Sequence, residues 1–247
     1  MYKALVLAAG MGSRIRSIAG DLPKPMISFG GEPIIARNLR WLAQSGVTEV
    51  WINLHFQAEV LARFTGDGSA YGLHVRYIFE PELLGTAGAL ANLGDVFSER
   101  MFVIYGDSVL RMDLEALVEK HEEADADVTI ALFDRDIHAH TGIAGGRVEI
   151  DATGRVSGFV EGALPPEHAQ RDLVNAGVYV CEPNIEALIP RGRLVDFGRD
   201  VFPAMLERND PLFAHVIEPE GYCLWLDTPE SFAAGEALIS SGRIRLA

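Results

Sequence analysis

Ala4-Leu5-Val6-Leu7 runs directly into Ala8-Ala9-Gly10-Met11-Gly12-Ser13-Arg14, and after a short bridge Leu22-Pro23-Lys24-Pro25-Met26 follows. An unbroken apolar run of strand length fits a parallel strand buried on both faces. The glycines after it predict a strand–turn–helix connection. Gly10 and Gly12 let the backbone approach a ligand closely. Successive free N–H groups in such a turn form a nest for an anion. Arg14 and Lys24 stand within reach of whatever the turn holds, and two phosphate-matching cations there predict a triphosphate site. A lone Gly-x-Gly would read equally well as an ordinary turn; Arg14 and the Pro23-Lys24-Pro25 clamp favour phosphate. The stretch is not the dinucleotide fingerprint, because Ile15 replaces its third glycine, and no Gly-Lys-Ser/Thr follows to make a P-loop.

Outward from this stretch, strand-like and helical patterns alternate. Pro33 to Ala43 places Ile35, Leu39, Leu42 and Ala43 on one helical stripe. Strands are predicted at Val47–Asn53, Leu73–Phe79, Met101–Tyr105 and Val128–Phe133, with helices at Ala58–Phe64, at Thr86–Leu93 and after a capping Asp113. Such an order calls for an open parallel sheet with helices on both faces, whose ligands collect beyond the carboxyl ends of the strands. The second half is richer in strands. It reads as a hairpin (Arg147–Ile150 and Arg155–Val160) and strands at Leu173–Val180, Phe213–Ile217 and Tyr222–Leu226. Helical patterns lie at 182–188, 199–208 and 229–239. No linker separates the halves, so one α/β domain with a β-rich lobe is expected.

The 247 residues are 49% hydrophobic and carry a net charge of −14. An acidic surface repels nucleic acid and anionic lipid, so neither is an expected partner. An anionic substrate must then be held by local cations or a metal. Cys181 and Cys223 show no metal-ligand spacing and fit a reducing, cytoplasmic setting. No stretch has the length of a membrane span or the pattern of a signal peptide.

Further residues are candidates for chemistry. Gly106-Asp107 ends an apolar strand, where a carboxylate suits Mg²⁺, a hard cation that takes oxygen ligands; a helix cap or turn aspartate is the plain alternative. Asp227, in Trp225-Leu226-Asp227-Thr228-Pro229-Glu230, reads as a second ligand of the same ion or as the neighbour of a helix cap. In Glu80-Pro81-Glu82-Leu83-Leu84-Gly85-Thr86-Ala87-Gly88, the glycines suggest close approach to a flat ligand and Thr86 a helix cap. Glu161 and Asn175 are able to bind sugar hydroxyls if they face a cavity. His138 and His140, in a polar loop, are expected to be solvated.

Together these motifs resemble the sugar-1-phosphate nucleotidyltransferases (nucleotide-sugar pyrophosphorylases), from Leu5 to about Ile239. Arg16-Ser17-Ile18 after the first arginine is similar to the mannose- and heptose-phosphate guanylyltransferase branch. The resemblance implies a Rossmann-like, mostly parallel open sheet with helices on both faces, plus a β-rich sugar-side lobe. Residues 1–135 would hold the nucleotide and 136–247 the sugar. It implies transfer of a nucleoside monophosphate from an NTP to a sugar 1-phosphate, with release of pyrophosphate, Mg²⁺ as cofactor and a homo-oligomer compatible. Leu7, Ala8, Ala9, Gly10, Gly12, Ser13 and Arg14 would hold the nucleotide. Lys24 would touch the transferred phosphate. Glu80, Gly85 and Thr86 would lie at the base. Asp107 and Asp227 would bind Mg²⁺, and Glu161, Asn175 and Gly177 would face the sugar. Arg14, Lys24 and Asp107 would be catalytic.

A carboxylate at Glu80 suits the paired N–H donors of guanine, so GTP is the expected NTP, with UTP or CTP as alternatives. Two departures bear on the acceptor. Glu161-Gly162-Ala163 lacks a lysine usual in the family, and the Trp225–Pro229 motif is compressed in a manner shared with cytidylyltransferases for small headgroups. Two other classes compete. A glycosyltransferase would show Asp-x-Asp; Asp125-Ala126-Asp127 has that spacing but reads as a turn. A non-catalytic nucleotide-sugar sensor would be expected to lose Arg14, Lys24 or Asp107, and all three are present.

Overall fold

A computed structural model describes residues 2–142, 145–162 and 171–246. Strand β1 (Tyr2–Leu7) ends at the glycine turn. A single helical turn α1 (Arg16–Ala19) and the small antiparallel ladder β2 (Ser28–Phe29) with β3 (Glu32–Pro33) follow. The alternation then runs α2 (Ile34–Gln44), β4 (Val47–Leu54), α3 (Ala58–Thr65), β5 (His74–Phe79), α4 (Gly85–Ala91) and β6 (Met101–Tyr105). Next come β7 (Ser108–Arg111), α5 (Leu114–Glu123), β8 (Val128–Asp134), β9 (Ala139–His140), the hairpin β10 (Arg147–Ile150) and β11 (Val156–Val160), and the long β12 (Leu173–Cys181). Helix α6 (Phe202–Arg208), β13 (Leu212–Val216), β14 (Tyr222–Trp225) and α7 (Pro229–Ser240) complete the order.

The large sheet runs β11-β10-β12-β6-β1-β4-β5, with β8 and β13 attached through β12. Its strands β5, β4, β1 and β6 are all parallel. β12 joins β6 antiparallel and carries the strand-rich half. β1 shows why its sequence is apolar throughout. Ala4 and Val6 enter the core under α2, α3 and α5, while Leu5 enters the opposite core under α4 and α6. The helices therefore cover both faces, as a buried parallel sheet needs. α2 packs through Ile35, Leu39 and Leu42, all fully buried. Asp113 caps α5 by accepting from the Glu115 and Ala116 amides.

Several local expectations change. The helical pattern at 182–188 is a 3₁₀ segment, Pro183–Leu188, and the one at 199–208 starts as a π turn over Phe197–Val201 before α6. His138 is not solvated: it is buried, its Nδ1 accepts from the Asp134 amide, and its Nε2–H donates to the Glu218 carbonyl. His140 is half-buried against the Phe133 ring, and burial lowers its pKa below the ordinary histidine value. A polar loop sequence misleads here because Asp134 and Glu218 hold the His138 ring and β9 pairs with β14 at His140.

Candidate active site

A cavity of about 280 Å³ opens at the carboxyl ends of β1, β4 and β6. Leu7, Ala9 and Gly10 line it from the first turn, Glu80, Gly85 and Thr86 from the passage into α4, and Asp107 from the end of β6. Seven residues read from the sequence as nucleotide or metal contacts thus share one wall space. Gly12, Ser13 and Arg14 lie just beyond it, where Gly12 takes a left-handed φ of 59° to start a 3₁₀ turn over Ser13–Ile15. The Arg14 side chain is 71% exposed, with Nη2 3.1 Å from Asp227 Oδ2.

The centre of the site is an ion triad. Lys24 Nζ lies 2.6 Å from Asp107 Oδ2 and also bonds Asp227 Oδ1. Its side chain is only 8% exposed, so the ammonium is held by these carboxylates and not by water. Each member arrives by a different route. Pro23 and Pro25 flank Lys24 in a 3₁₀ turn. The loop at Asp107 is braced by the buried Asn38 of α2, whose Nδ2 donates to the carbonyls of Gly106 and Ser108. Asp227 follows β14, which pairs antiparallel with β7 so that Trp225 lies opposite Ser108. That register carries Asp227 to Asp107. Thr228 then caps α7, with the Ser231 hydroxyl accepting from the amides of Asp227 and Thr228. Asp227 is both the neighbour of a helix cap and a member of the triad.

Asn53, at the end of β4, is a site residue the sequence did not single out. Its Oδ1 accepts from the Ala8 amide at 2.6 Å and its Nδ2 donates to Glu80 Oε1 at 2.8 Å. Glu80 Oε2 accepts from the Leu84 amide. One buried amide therefore ties the first turn to the passage into α4. Asn53→Leu would leave the Ala8 N–H and the Glu80 carboxylate buried without this partner, at a cost of about 1–3 kcal/mol. The expected result is a lower Tm and a higher KM for nucleotide; an unchanged Tm would contradict the bracing role.

Thr86 does not cap α4. Its hydroxyl donates to Asp196 Oδ1 and accepts from the Phe197 amide. Gly85 is needed for a protein contact: with φ at 75°, a Cβ there would stand 2.5 Å from the Val195 carbonyl oxygen.

On the strand-rich side, Asn175 is buried with both ends of its amide engaged. Nδ2 donates to the Tyr179 hydroxyl and Oδ1 accepts from the Gly177 amide. These bonds hold the irregularity in β12 between Asn175 and Tyr179. Gly177, at φ 74°, makes room there for the Tyr105 ring. Tyr105 lines the cavity, and desolvation pushes its phenol up to about 12, so it stays neutral. Glu161 is exposed as a residue, but its carboxyl tip turns inward beside Gly146 and Gly198. Burial of that tip raises its pKa, Arg199 opposes the rise, and Asp196 adds to it. Gly162 is exposed beside it, and Ala163 lies outside the described residues.

Asp125-Ala126-Asp127 forms the turn leaving α5, at the amino end of β8. β8 runs antiparallel to β12, and β12 antiparallel to β6. The two aspartates thus lie at the opposite edge of the sheet from Asp107, and a glycosyltransferase-type metal role for them fails on geometry.

The sequence model of the family described as nucleotidyl transferase matches residues 3–238. The chain belongs to this family. It is 35% identical over 241 residues to a mannose-1-phosphate guanylyltransferase of Mycobacterium tuberculosis, covering 97% of this chain and 65% of that protein. It is 30% identical over 237 residues to a UTP–glucose-1-phosphate uridylyltransferase of Synechocystis, covering 91% and 59%. The chain spans a little under two thirds of the length of these curated relatives. The crystal structure of HddC from Yersinia pseudotuberculosis complexed with GMP-PN superposes with a TM-score of 0.79 at 26% identity, covering 96% of this chain and all of that one. Among the described residues, no helix is long and apolar enough to cross a membrane.

Proposed function

We propose that this nucleotidyl transferase moves a nucleoside monophosphate from an NTP, GTP by preference, to a sugar 1-phosphate of mannose or heptose type, releasing pyrophosphate and forming an NDP-sugar. The observation that carries this reading is the triad of Lys24, Asp107 and Asp227 at the rim of the cavity lined by Gly10 and Glu80. Cations and carboxylates meet there beside a space for a nucleoside.

The reaction asks little of acid–base chemistry. A sugar-phosphate oxygen, already ionised at neutral pH, attacks the α-phosphorus in line. One P–O bond forms and the bond to pyrophosphate breaks, with no proton to move. Positioning and charge neutralisation then carry the catalysis. Leu7 to Arg14 cradle the phosphates. Arg14, largely exposed and paired with Asp227, presents its guanidinium to them. Lys24 faces the transferred phosphate. Residues 1–135 supply the nucleotide side and 136–247 the sugar side, with Glu161, Asn175 and Gly177 at the sugar.

Asp107 and Asp227 fit a magnesium ion. They already direct carboxylate oxygens at one positive charge, the Lys24 ammonium. Among the described residues no group of three or more His, Cys, Asp or Glu side chains is arranged to hold a metal. Two carboxylates plus substrate phosphates is how Mg²⁺ commonly binds. The ion, when bound, would offset negative charge on the phosphates.

The guanine preference rests on the carboxylate of Glu80 in the cavity wall and on relatives named as guanylyltransferases. The Synechocystis relative, named for UTP, supports uridylyl transfer as the second reading. Each Glu80 oxygen accepts one internal bond and keeps a second lone pair, on a residue that is buried in this structure. Glu80→Gln would set an NH₂ against a protein donor, so this variant disturbs the wall as well as any base contact. The cleaner test is wild-type kcat/KM for the four NTPs against a panel of sugar 1-phosphates, read by pyrophosphate release. GTP is expected to lead, and release should need both substrates. A UTP lead would overturn the base assignment.

A further inference from the structure

The segment Arg193–Asp196 is not part of any motif discussed above, yet it is fastened tightly to the passage into α4. The Val195 amide donates to the Leu84 carbonyl at 2.8 Å, and the Val195 carbonyl accepts from Ala87 and Gly88 amides at 2.9 and 3.0 Å. Asp196 Oδ1 accepts from both the amide and the hydroxyl of Thr86 at 3.2 Å. The contact is close enough to require glycines. A Cβ on Gly88 would stand 2.8 Å from the Arg193 carbonyl oxygen, in addition to the clash already described at Gly85.

This fastening sets two side chains in the cavity wall, Leu194 and Asp196. Leu194 is 65% exposed, the largest exposure among the described large hydrophobic residues. An apolar side chain held out on a rigid segment at a cavity gains burial only when a ligand arrives. Asp196 has one oxygen engaged by Thr86, and among the described residues its Oδ2 has no hydrogen-bond partner. Its charge also reaches Glu161 on the strand-rich side, and both charges reach Tyr105 in the cavity wall.

We infer that Arg193–Asp196 is a second wall of the ligand pocket, in which Leu194 closes over bound ligand and Asp196 accepts a hydrogen bond from a hydroxyl of the acceptor sugar. The inference rests on the function proposed above. It makes Asp196 a specificity residue, joined through Thr86 to the nucleotide side. An uncharged amide at 196 keeps an oxygen for Thr86 but replaces the free carboxylate oxygen with a donor.

The test is steady-state kinetics of wild type, Asp196→Asn and Leu194→Ala with GTP and a mannose 1-phosphate series lacking one hydroxyl at a time. Losing a hydrogen bond to a charged acceptor is expected to raise the acceptor KM of Asp196→Asn by about tenfold or more, with KM for GTP within about twofold of wild type. One deoxy analogue should show the same loss with wild type, and no further loss with Asp196→Asn. Leu194→Ala is expected to raise KM with the Tm unchanged. A parallel rise in KM for GTP with a lowered Tm in Asp196→Asn would mean that the residue only holds the wall, and would overturn its sugar role. Equal acceptor KM in wild type and Asp196→Asn would overturn it too. A wild type inert with every NTP and sugar phosphate pair would instead overturn the proposed reaction itself.

Discussion

Asp107→Asn is expected to lower kcat by ~10²–10³, about 3–4 kcal/mol, the scale of losing one preorganised charge contact at a reacting centre. The substitution keeps the shape of the side chain. Asp107 sits at a strand end with its side chain about a third exposed, so the fold should persist. Lys24 would retain Asp227 as a partner. The effect should therefore appear in turnover at saturating substrates and not in Tm. Near-wild-type turnover would contradict the assignment. Asp227→Asn gives the companion result. If it is harmless while Asp107→Asn is not, Asp227 serves as an anchor for Lys24 and Arg14 and has no share in the metal.

Lys24→Ala is expected to cut kcat by a similar ~10²–10³, and to do something Asp107→Asn does not. It leaves Asp107 and Asp227 facing each other with their buried counter-charge gone. Removing one partner of a buried ion pair costs on the order of 3 kcal/mol. For a chain of this length that corresponds to a fall in Tm on the order of 6–12 °C. Mg²⁺ without nucleotide should then restore part of the lost Tm in the variant, because two carboxylates freed of the ammonium are open to a divalent ion. The wild type, with Lys24 between them, should respond much less. Thermal melts of both proteins with and without Mg²⁺ check this. A variant as stable as wild type and indifferent to Mg²⁺ would show that the triad does not hold charge in the way described.

The first half of the fold was legible in the sequence because its signals are local. A buried parallel strand needs an unbroken apolar run, and Ala4–Leu7 has one. Asp107 was legible because it follows such a run directly. The sequence offered Asp227 as its companion at one ion, but not the Lys24 ammonium between the two carboxylates. β7 is only Ser-Val-Leu-Arg, too short for periodicity to register, and its pairing with β14 brings together residues more than a hundred positions apart. Without that register nothing in the sequence says that Lys24 would lie between Asp107 and Asp227. Asn53 reads as an ordinary strand end; its role depends on the Ala8 amide and Glu80, which only the folded chain supplies. Gly85 and Gly88 read in the sequence as places where a flat ligand comes close; the group packed against them is the backbone of Arg193–Val195. Thr86 has the residue type of a cap, and a stronger tertiary partner in Asp196 takes its hydroxyl.

The proposed reaction is defined by the fate of the α-phosphorus. The most direct measurement is ³¹P NMR of the protein with GTP, mannose 1-phosphate and Mg²⁺, followed over time. The expected result is loss of both substrates with equal growth of inorganic pyrophosphate and of a sugar-linked diphosphate that retains the α-phosphorus. Growth of inorganic phosphate or free GMP instead, or spectra unchanged across the NTPs and sugar phosphates, would contradict it.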